Sequence, residues 1–244
     1  MNRFYMDSSF TVGEHVQLSE TVFHHWTRVL RAKLGDQATL FNGIDFNGLG
    51  GEYLVELTQI EKKSATVRVL EFNPISRDLS IKVTLGQVMS KGDRMDYVIQ
   101  KSTELGVSEI QLLTSERCEM RLKYDRDQKK IEHWQSVAIA ACEQCGLNIV
   151  PKVLPPLSVT EWIESNNSEL KLIMTLADQP FQFSDEKPES IALLVGPEGG
   201  LNQAEIDFAL NHQFQAWTIG ARVLRTETAP VAALSVINHL FADG

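Results

Sequence analysis

Twice in its last fifty or so residues the chain runs from an apolar strand-like segment, through a loop, into a helix start. No other feature limits its fold so tightly. The first passage is Leu193-Leu194-Val195-Gly196-Pro197-Glu198-Gly199-Gly200-Leu201-Asn202-Gln203, where the apolar run from Ile191 to Val195 stops at Gly-Pro. Asn202 with Glu205 three residues on has the spacing of a capping box, which predicts a helix from there. The second passage runs from Ile219 to Pro230, after a strand-like stretch over 216–219. Thr228 is the expected cap, and Pro230 falls in the first turn, where a missing N–H costs nothing. Open α/β sheets bind ligands at the carboxyl ends of their strands. The two junctions together therefore predict a small-molecule pocket.

The wider pattern agrees from residue 79 onward. Strands are expected near 80–88, 108–114, 171–176, 191–195 and 215–219. Helices are expected near 93–105, 126–145, 158–165, 202–212 and 229–241. Such alternation implies a mostly parallel sheet covered by helices on both faces. Residues 1–72 read differently. Glu52–Leu57 and Ala65–Leu70 alternate with the period of half-buried strands, and glycine-rich turns lie at 42–43 and 47–51. With one helical stretch at about 19–32, this predicts a small barrel-like β domain. Residues 73–78 read as a linker and 79–244 as the second domain.

Composition narrows the function classes. The chain is 43% hydrophobic and 23% charged, which is ordinary for a globular protein, and no apolar run nears membrane length. The N-terminus lacks a signal-peptide core, and three cysteines are an odd number, so a reducing, cytoplasmic location is expected. The net charge of −9 is unevenly spread. Residues 1–77 carry 8 Lys/Arg against 9 Asp/Glu, residues 78–130 carry 10 against 9, and residues 131–244 carry 5 against 14. The first half is thus close to neutral and holds local basic clusters able to meet phosphates.

The candidate chemistry lies in a few loops. Gly196-Pro197-Glu198-Gly199-Gly200 is neither a Walker A loop nor a dinucleotide fingerprint. Its glycines could serve only a tight turn, yet Glu198 is a carboxylate in a loop otherwise stripped of side chains. Arg222, Arg225, Glu227 and two threonines share the second junction; a self-paired exposed turn is the plainer interpretation. Arg225 is the residue suited to anion stabilisation, because a guanidinium holds a planar electron-rich partner without deprotonating. Lys91, Arg94, Lys101 and Glu104 form a loop and helix face that is either solvated or phosphate-contacting. Cys142 and Cys145 lack the further ligands zinc needs, so no metal site is expected.

Taken in order, these stretches resemble the RsmE family of 16S rRNA uridine-N3 methyltransferases, within the SPOUT superfamily. The resemblance rests on Lys91-Gly92-Asp93-Arg94-Met95-Asp96, on 100–107, on Ser115-Glu116-Arg117 and on Glu143-Gln144-Cys145-Gly146. Gly196–Gly200 and Leu224–Ala229 complete it, so that it spans essentially the whole chain. Leu147 departs from the family pattern, which has an arginine there, and this weakens any RNA contact at that position.

The resemblance implies a SPOUT-type trefoil-knotted, mostly parallel α/β domain, preceded by a PUA- or OB-like barrel over 1–72 that grips RNA. It implies S-adenosylmethionine as cofactor, held by Thr175, Leu176, Ala177, Gly196, Pro197, Gly199, Gly200, Ile219, Gly220, Leu224, Thr226, Thr228 and Ala229. Arg225, Glu198 and Glu227 are the expected catalytic residues. Arg3, Arg28, Arg31, Lys33, Lys91, Arg94 and Lys101 are the expected contacts to RNA phosphates. The expected partners are 16S rRNA, within the small ribosomal subunit, and a second copy of the chain in a homodimer, with no membrane and no metal. A knotted methyltransferase acting on another RNA or base position, or a non-catalytic RNA-binding relative, is the alternative. A nucleotide-hydrolysing enzyme is disfavoured, since no phosphate-loop lysine is present.

Overall fold

The computed structural model of the chain describes residues 1–43, 51–118, 124–184 and 186–241, with side chains left aside at 124–127. Most of the glycine-rich turn expected at 47–51 lies outside the described residues. The chain divides into two compact units. The first comprises Met1–Asp78 with Cys142–Val150, and the second Leu79–Ala141 with Pro151–Gly244.

In the first unit, β1 (Arg3–Tyr5), β2 (His15–Gln17), β3 (Gln37–Phe41), β4 (Glu52–Ile60) and β5 (Ala65–Asn73) form one sheet. Its order is β1-β3-β4-β5-β2. The β1–β3 pair is parallel and the others are antiparallel. The period-2 pattern explains which face is inside: Tyr53, Val55 and Leu57 of β4 and Ala65, Val67 and Val69 of β5 are buried in one cluster with Phe4, Trp26 and Leu40. Two register shifts between β4 and β5, at Leu54/Val55 and Leu57/Gln59, are places where a sheet bends. The expected helix is α1 (Glu20–Phe23) continued by a π-helical stretch, His24–Val29. It closes with the Ala32 N–H bonded to the Trp26 carbonyl at 3.0 Å, and Arg31 sits at φ +58°, where glycine is usual.

Residues 142–150 join this unit through a satellite core. Cys142 and Leu147 pack with Phe41, flanked by Tyr5, Cys145 and Val150. Leu147 is therefore a core residue. Arg3 also belongs here: it pairs with Glu52 at 2.6 Å, donates to Asn148 Oδ1 at 2.8 Å and lies over the Phe41 ring. Arg77 reaches the same Glu52 oxygen at 2.5 Å and the Gly146 carbonyl at 2.9 Å. Burial pushes the Glu52 carboxyl up, but the hydrogen bonds and charges of the two arginines outweigh it and hold the group below its usual range.

The second unit contains β6 (Lys82–Val88), α2 (Arg94–Glu104), β7 (Glu109–Thr114), α3 (Tyr124–Cys145, whose end from Cys142 groups with the first unit) and β8 (Lys152–Ser158). It continues with α4 (Val159–Ser165), β9 (Leu170–Met174), β10 (Ser190–Val195), α5 (Gln203–Asn211), β11 (Gln215–Trp217) and α6 (Thr228–Phe241). The sheet order is β11-β9-β10-β6-β7-β8, and every pair is parallel. The α/β class with a parallel sheet is as the alternation implied.

The sequence does not reveal β8, because Pro155 and Pro156 interrupt it. An edge strand tolerates proline, which cannot donate to a ladder, and β8 is an edge. A register shift at Gln111/Leu113 accommodates it, and the Gln111 side chain donates to the Pro155 carbonyl. Side chains alternate along β6: Gly86 faces Trp162 of α4, and a Cβ there would lie 2.6 Å from the ring. Gln87 points the other way, to Thr226 just before α6. Helices therefore cover both faces of the sheet. Among the described residues no helix is long and apolar enough to cross a membrane.

Candidate active site

The loops that leave β9, β10 and β11 meet above the carboxyl ends of the parallel strands. Between them lies a cavity of about 550 Å³, within the ~300–1,000 Å³ common for small-molecule sites. From β9 come Met174, Thr175 and Leu176. From β10 come Val195, Gly196, Pro197, Glu198, Gly200 and Leu201. The end of β11 and the segment after it supply Trp217, Thr218, Ile219 and most of the stretch from Arg222 to Ala229. The strand order reverses at β10, which lies between β9 and β6.

Local chemistry fixes each loop. The Asn202 side chain accepts from the Glu205 N–H at 2.8 Å, and Glu205 accepts from the Asn202 N–H at 2.9 Å, forming the capping box. The same pair is braced by Ser115–Arg117: the Glu116 N–H donates to Glu205 at 3.0 Å, Asn202 donates to the Glu116 carboxylate, and Arg117 donates to the Gly199 carbonyl at 3.1 Å. Gly196 lets the backbone turn tightly, as a Cβ there would stand 3.1 Å from Leu201. The Thr218 hydroxyl donates to the Thr175 carbonyl at 2.8 Å and accepts from the Ala177 N–H at 3.2 Å, tying the β9 loop to the β11 loop. The buried Thr226 hydroxyl donates to the Gly196 carbonyl at 2.7 Å and receives the Gln87 amide at 3.0 Å.

The charged groups form an alternating row along the cavity. Arg94, from the first turn of α2, holds Glu198 at 2.5 Å and stands 3.9 Å from Glu227. The other Glu227 oxygen faces Arg225 at 3.9 Å. Glu227 is the most enclosed of the four, at 18% side-chain exposure, and Arg225 the most open, at 79%. A cation this open, oriented by a carboxylate at a cavity's edge, can meet an incoming anionic partner.

The structure gathers the three expected catalytic residues and most of the expected cofactor positions around one cavity. Ala177, Gly199, Gly220 and Thr228 stand off its wall. Ala177 and Gly199 make the loop bonds described above, Gly220 occupies a turn at φ +68°, and Thr228 is the first residue of α6. Arg94, expected on RNA, lines the cavity and is engaged by carboxylates. Arg3 is taken up inside the first unit, and Lys101 pairs with Glu104 at 2.8 Å. Arg28, Arg31, Lys33 and Lys91 are exposed. The sequence pattern does not single out Gln87, Trp217 or Thr218, and it places Arg222 in the second junction without giving it a role. A polar residue directly after a strand, as at 218, or just before its last residue, as at 87 in β6, is the signal that could have found two of them.

Residues 77–238 match the model of the RNA methyltransferase domain family. A small-subunit ribosomal RNA methyltransferase E from Buchnera aphidicola is 32% identical over 99% of this chain and 94% of its own. The chain belongs to the ribosomal RNA small subunit methyltransferase E family. Among solved structures, the same-named enzyme from Neisseria gonorrhoeae, bound to S-adenosyl methionine, is 39% identical with a TM-score of 0.90, covering 100% of this chain and 99% of that one. A methyltransferase from Legionella pneumophila, determined in complex with SAM, is 36% identical with a TM-score of 0.91, covering 97% and 96%. The TM-scores of these relatives extend the likeness over both units, not the catalytic domain alone.

Proposed function

We propose that this methyltransferase modifies N3 of a uridine in 16S rRNA of the small ribosomal subunit, with S-adenosylmethionine as methyl donor. The observation that carries the proposal is the convergence of Arg225, Glu198 and Glu227 on one cavity at the strand ends, in a chain that matches family members from end to end. The cavity suits the cofactor. Leu201, Trp217, Ile219 and Leu224 offer apolar surface for a heteroaromatic ring, and the loops around Gly196 and Gly200 expose backbone to it. Glu198 and Glu227, held by Arg94, would be the carboxylates nearest a cationic cofactor in this cavity. The bound cofactor supplies an electrophilic methyl carbon.

The chain's own residues have two tasks. The uridine imide must lose its N3 proton, and the charge left on the ring must be stabilised. Arg225 faces the opening and compensates that charge, with its fork oriented by Glu227. A carboxylate of the row, Glu227 or Glu198, accepts the proton. The loops around the cavity would position the uridine nitrogen, and such positioning supplies much of the acceleration. With the cofactor bound, the deprotonated nitrogen would take the methyl carbon from sulfur and S-adenosylhomocysteine would be left.

The finer architecture follows the same proposal. The segment after β11 threads back against Gly196 and Gln87 before entering α6, which supports a trefoil-knotted, SPOUT-type domain. The five-stranded sheet of the first unit acts as a PUA/OB-like RNA-binding barrel, its phosphate contacts coming from Arg28, Arg31 and Lys33; residues 73–78, expected as a linker, group with this unit, and Lys91 of the second unit is a separate phosphate contact. The enzyme works as a cytoplasmic homodimer. Incubation with small subunits and methyl-labelled cofactor, followed by nucleoside mass spectrometry, tests the reading. 3-methyluridine in 16S rRNA is expected. Label in another nucleoside, or none, would refute it.

A further inference from the structure

We infer that Arg94 is a positioning residue of the methyl-transfer site: it fixes Glu198 and, through Glu227, aims Arg225. The inference rests on the reading of Arg225 and the two carboxylates given above. Arg94 opens α2, far in sequence from both junction loops, yet its guanidinium lines the cavity and meets a carboxylate from each. The contact to Glu198 is short, at 2.5 Å, and the one to Glu227 is looser, at 3.9 Å. Glu227 in turn stands between two guanidiniums, with one oxygen toward Arg94 and the other toward Arg225.

Geometry makes this arrangement directional. Two carboxylates that share a small site repel, and a planar cation with several donors can hold both. Glu198 comes from a loop with few other side chains to fix it, so the rotamer of its carboxylate depends on Arg94. Without Arg94, Glu227 would turn toward its remaining cation, Arg225, and draw that group from the opening. A lysine at 94 carries the charge but not the fork, so it can serve one carboxylate at a time. An RNA-phosphate anchor at position 94 would behave differently: its loss would weaken RNA binding and lower the salt dependence of that binding by about 0.7–0.9 per lost contact.

The full-length enzyme with Arg94→Ala, Arg94→Lys, Glu198→Gln and the Arg94→Ala/Glu198→Gln pair separates these roles. Arg94→Ala is expected to lower kcat roughly 100-fold, with KM for the small subunit and the salt slope of RNA binding unchanged. Arg94→Lys should recover part of the loss, and the double variant should be no slower than the slower single. The Nε–Hε NMR signal of Arg225, assigned with Arg225→Lys, should shift in Arg94→Ala protein without RNA. A reduced salt slope with kcat intact, independent losses that multiply in the double variant, or an unmoved Arg225 signal would overturn the inference. If instead the wild-type enzyme forms no 3-methyluridine, the reading of the reaction fails, and the Arg225 signal still decides the role of Arg94.

Discussion

At the scale of single residues, the site depends on groups whose partners can be counted. Arg225 is held loosely and is open to solvent, so its removal disturbs little of the fold. Arg225→Ala should lower kcat about 10²–10³-fold, the range for losing one group that stabilises developing negative charge. Calorimetry should find cofactor affinity nearly unchanged, and near-normal turnover would remove Arg225 from the chemistry. Thr226 is the opposite case. It is buried, and its hydroxyl joins Gln87 to Gly196. Thr226→Val keeps the shape but removes the donor to the Gly196 carbonyl and one of the two acceptors of the Gln87 amide, the other being the Val88 carbonyl, at a cost of about 1–3 kcal/mol. Denaturant unfolding should show that loss with weakened cofactor binding, and Thr226→Ser should restore both. Gln87 explains why this pairing is invisible in sequence: nothing in an apolar strand tells which of its neighbours will carry the matching hydroxyl 139 residues later.

At the scale of elements, legibility follows the range of the forces involved. The capping box at Asn202, the buried strand β10 and the alternation of β4 and β5 are local patterns, and each is found where the sequence places it. β8 was hidden because proline counts against a strand unless the strand is an edge, and edge status is a property of the whole sheet. The placement of 142–150 was hidden for a similar reason: α3 continues smoothly through Cys142, and only Tyr5, Phe41 and Arg3 reveal what its end packs against. Glu143 lies in that packing, its carboxylate accepting the Tyr5 N–H at 3.0 Å. Burial pushes its carboxyl above the ordinary 4.5, more than the Tyr5 bond and the charges of His25 and Arg3 pull it down. A carboxyl raised in the folded state binds its proton more tightly there than in the unfolded chain. Stability is therefore lost as pH climbs from the unfolded value through the folded one. Glu143→Gln retains an oxygen for Tyr5 and removes the buried charge. Thermal unfolding should find the variant more stable than the wild type at neutral pH, with the gap closing below about pH 4.5. A gap that widens in acid would mean that the charge itself is favourable.

At the scale of the molecule, a protein of net charge −9 must still bind a polyanion. Distribution resolves this, because 14 of the acidic residues fall after residue 130, while Arg28, Arg31 and Lys33 stand close together and exposed in the first unit. Two features of that segment are costly for stability alone. Val29, Leu30 and Leu34 leave large apolar side chains open to water, at 58%, 46% and 62% exposure, and Arg31 occupies the left-handed region that favours glycine. Strain kept in an exposed arginine points to a role outside the fold. The strain and the proposed RNA contact make opposite demands, and one substitution separates them. Arg31→Gly relieves the backbone and removes the cation, so the protein should gain up to about 1 kcal/mol in denaturant unfolding, less the added freedom of glycine in the unfolded chain. RNA binding should weaken, with a salt slope shallower by about 0.7, the value for one contact to single-stranded phosphate. Arg28→Ala should reduce the slope equally but lower stability, since Arg28 donates to the Lys62 carbonyl at 2.7 Å and packs over Phe23. Stability that rises with the slope intact would leave Arg31 as mere strain and move the RNA face elsewhere on the molecule.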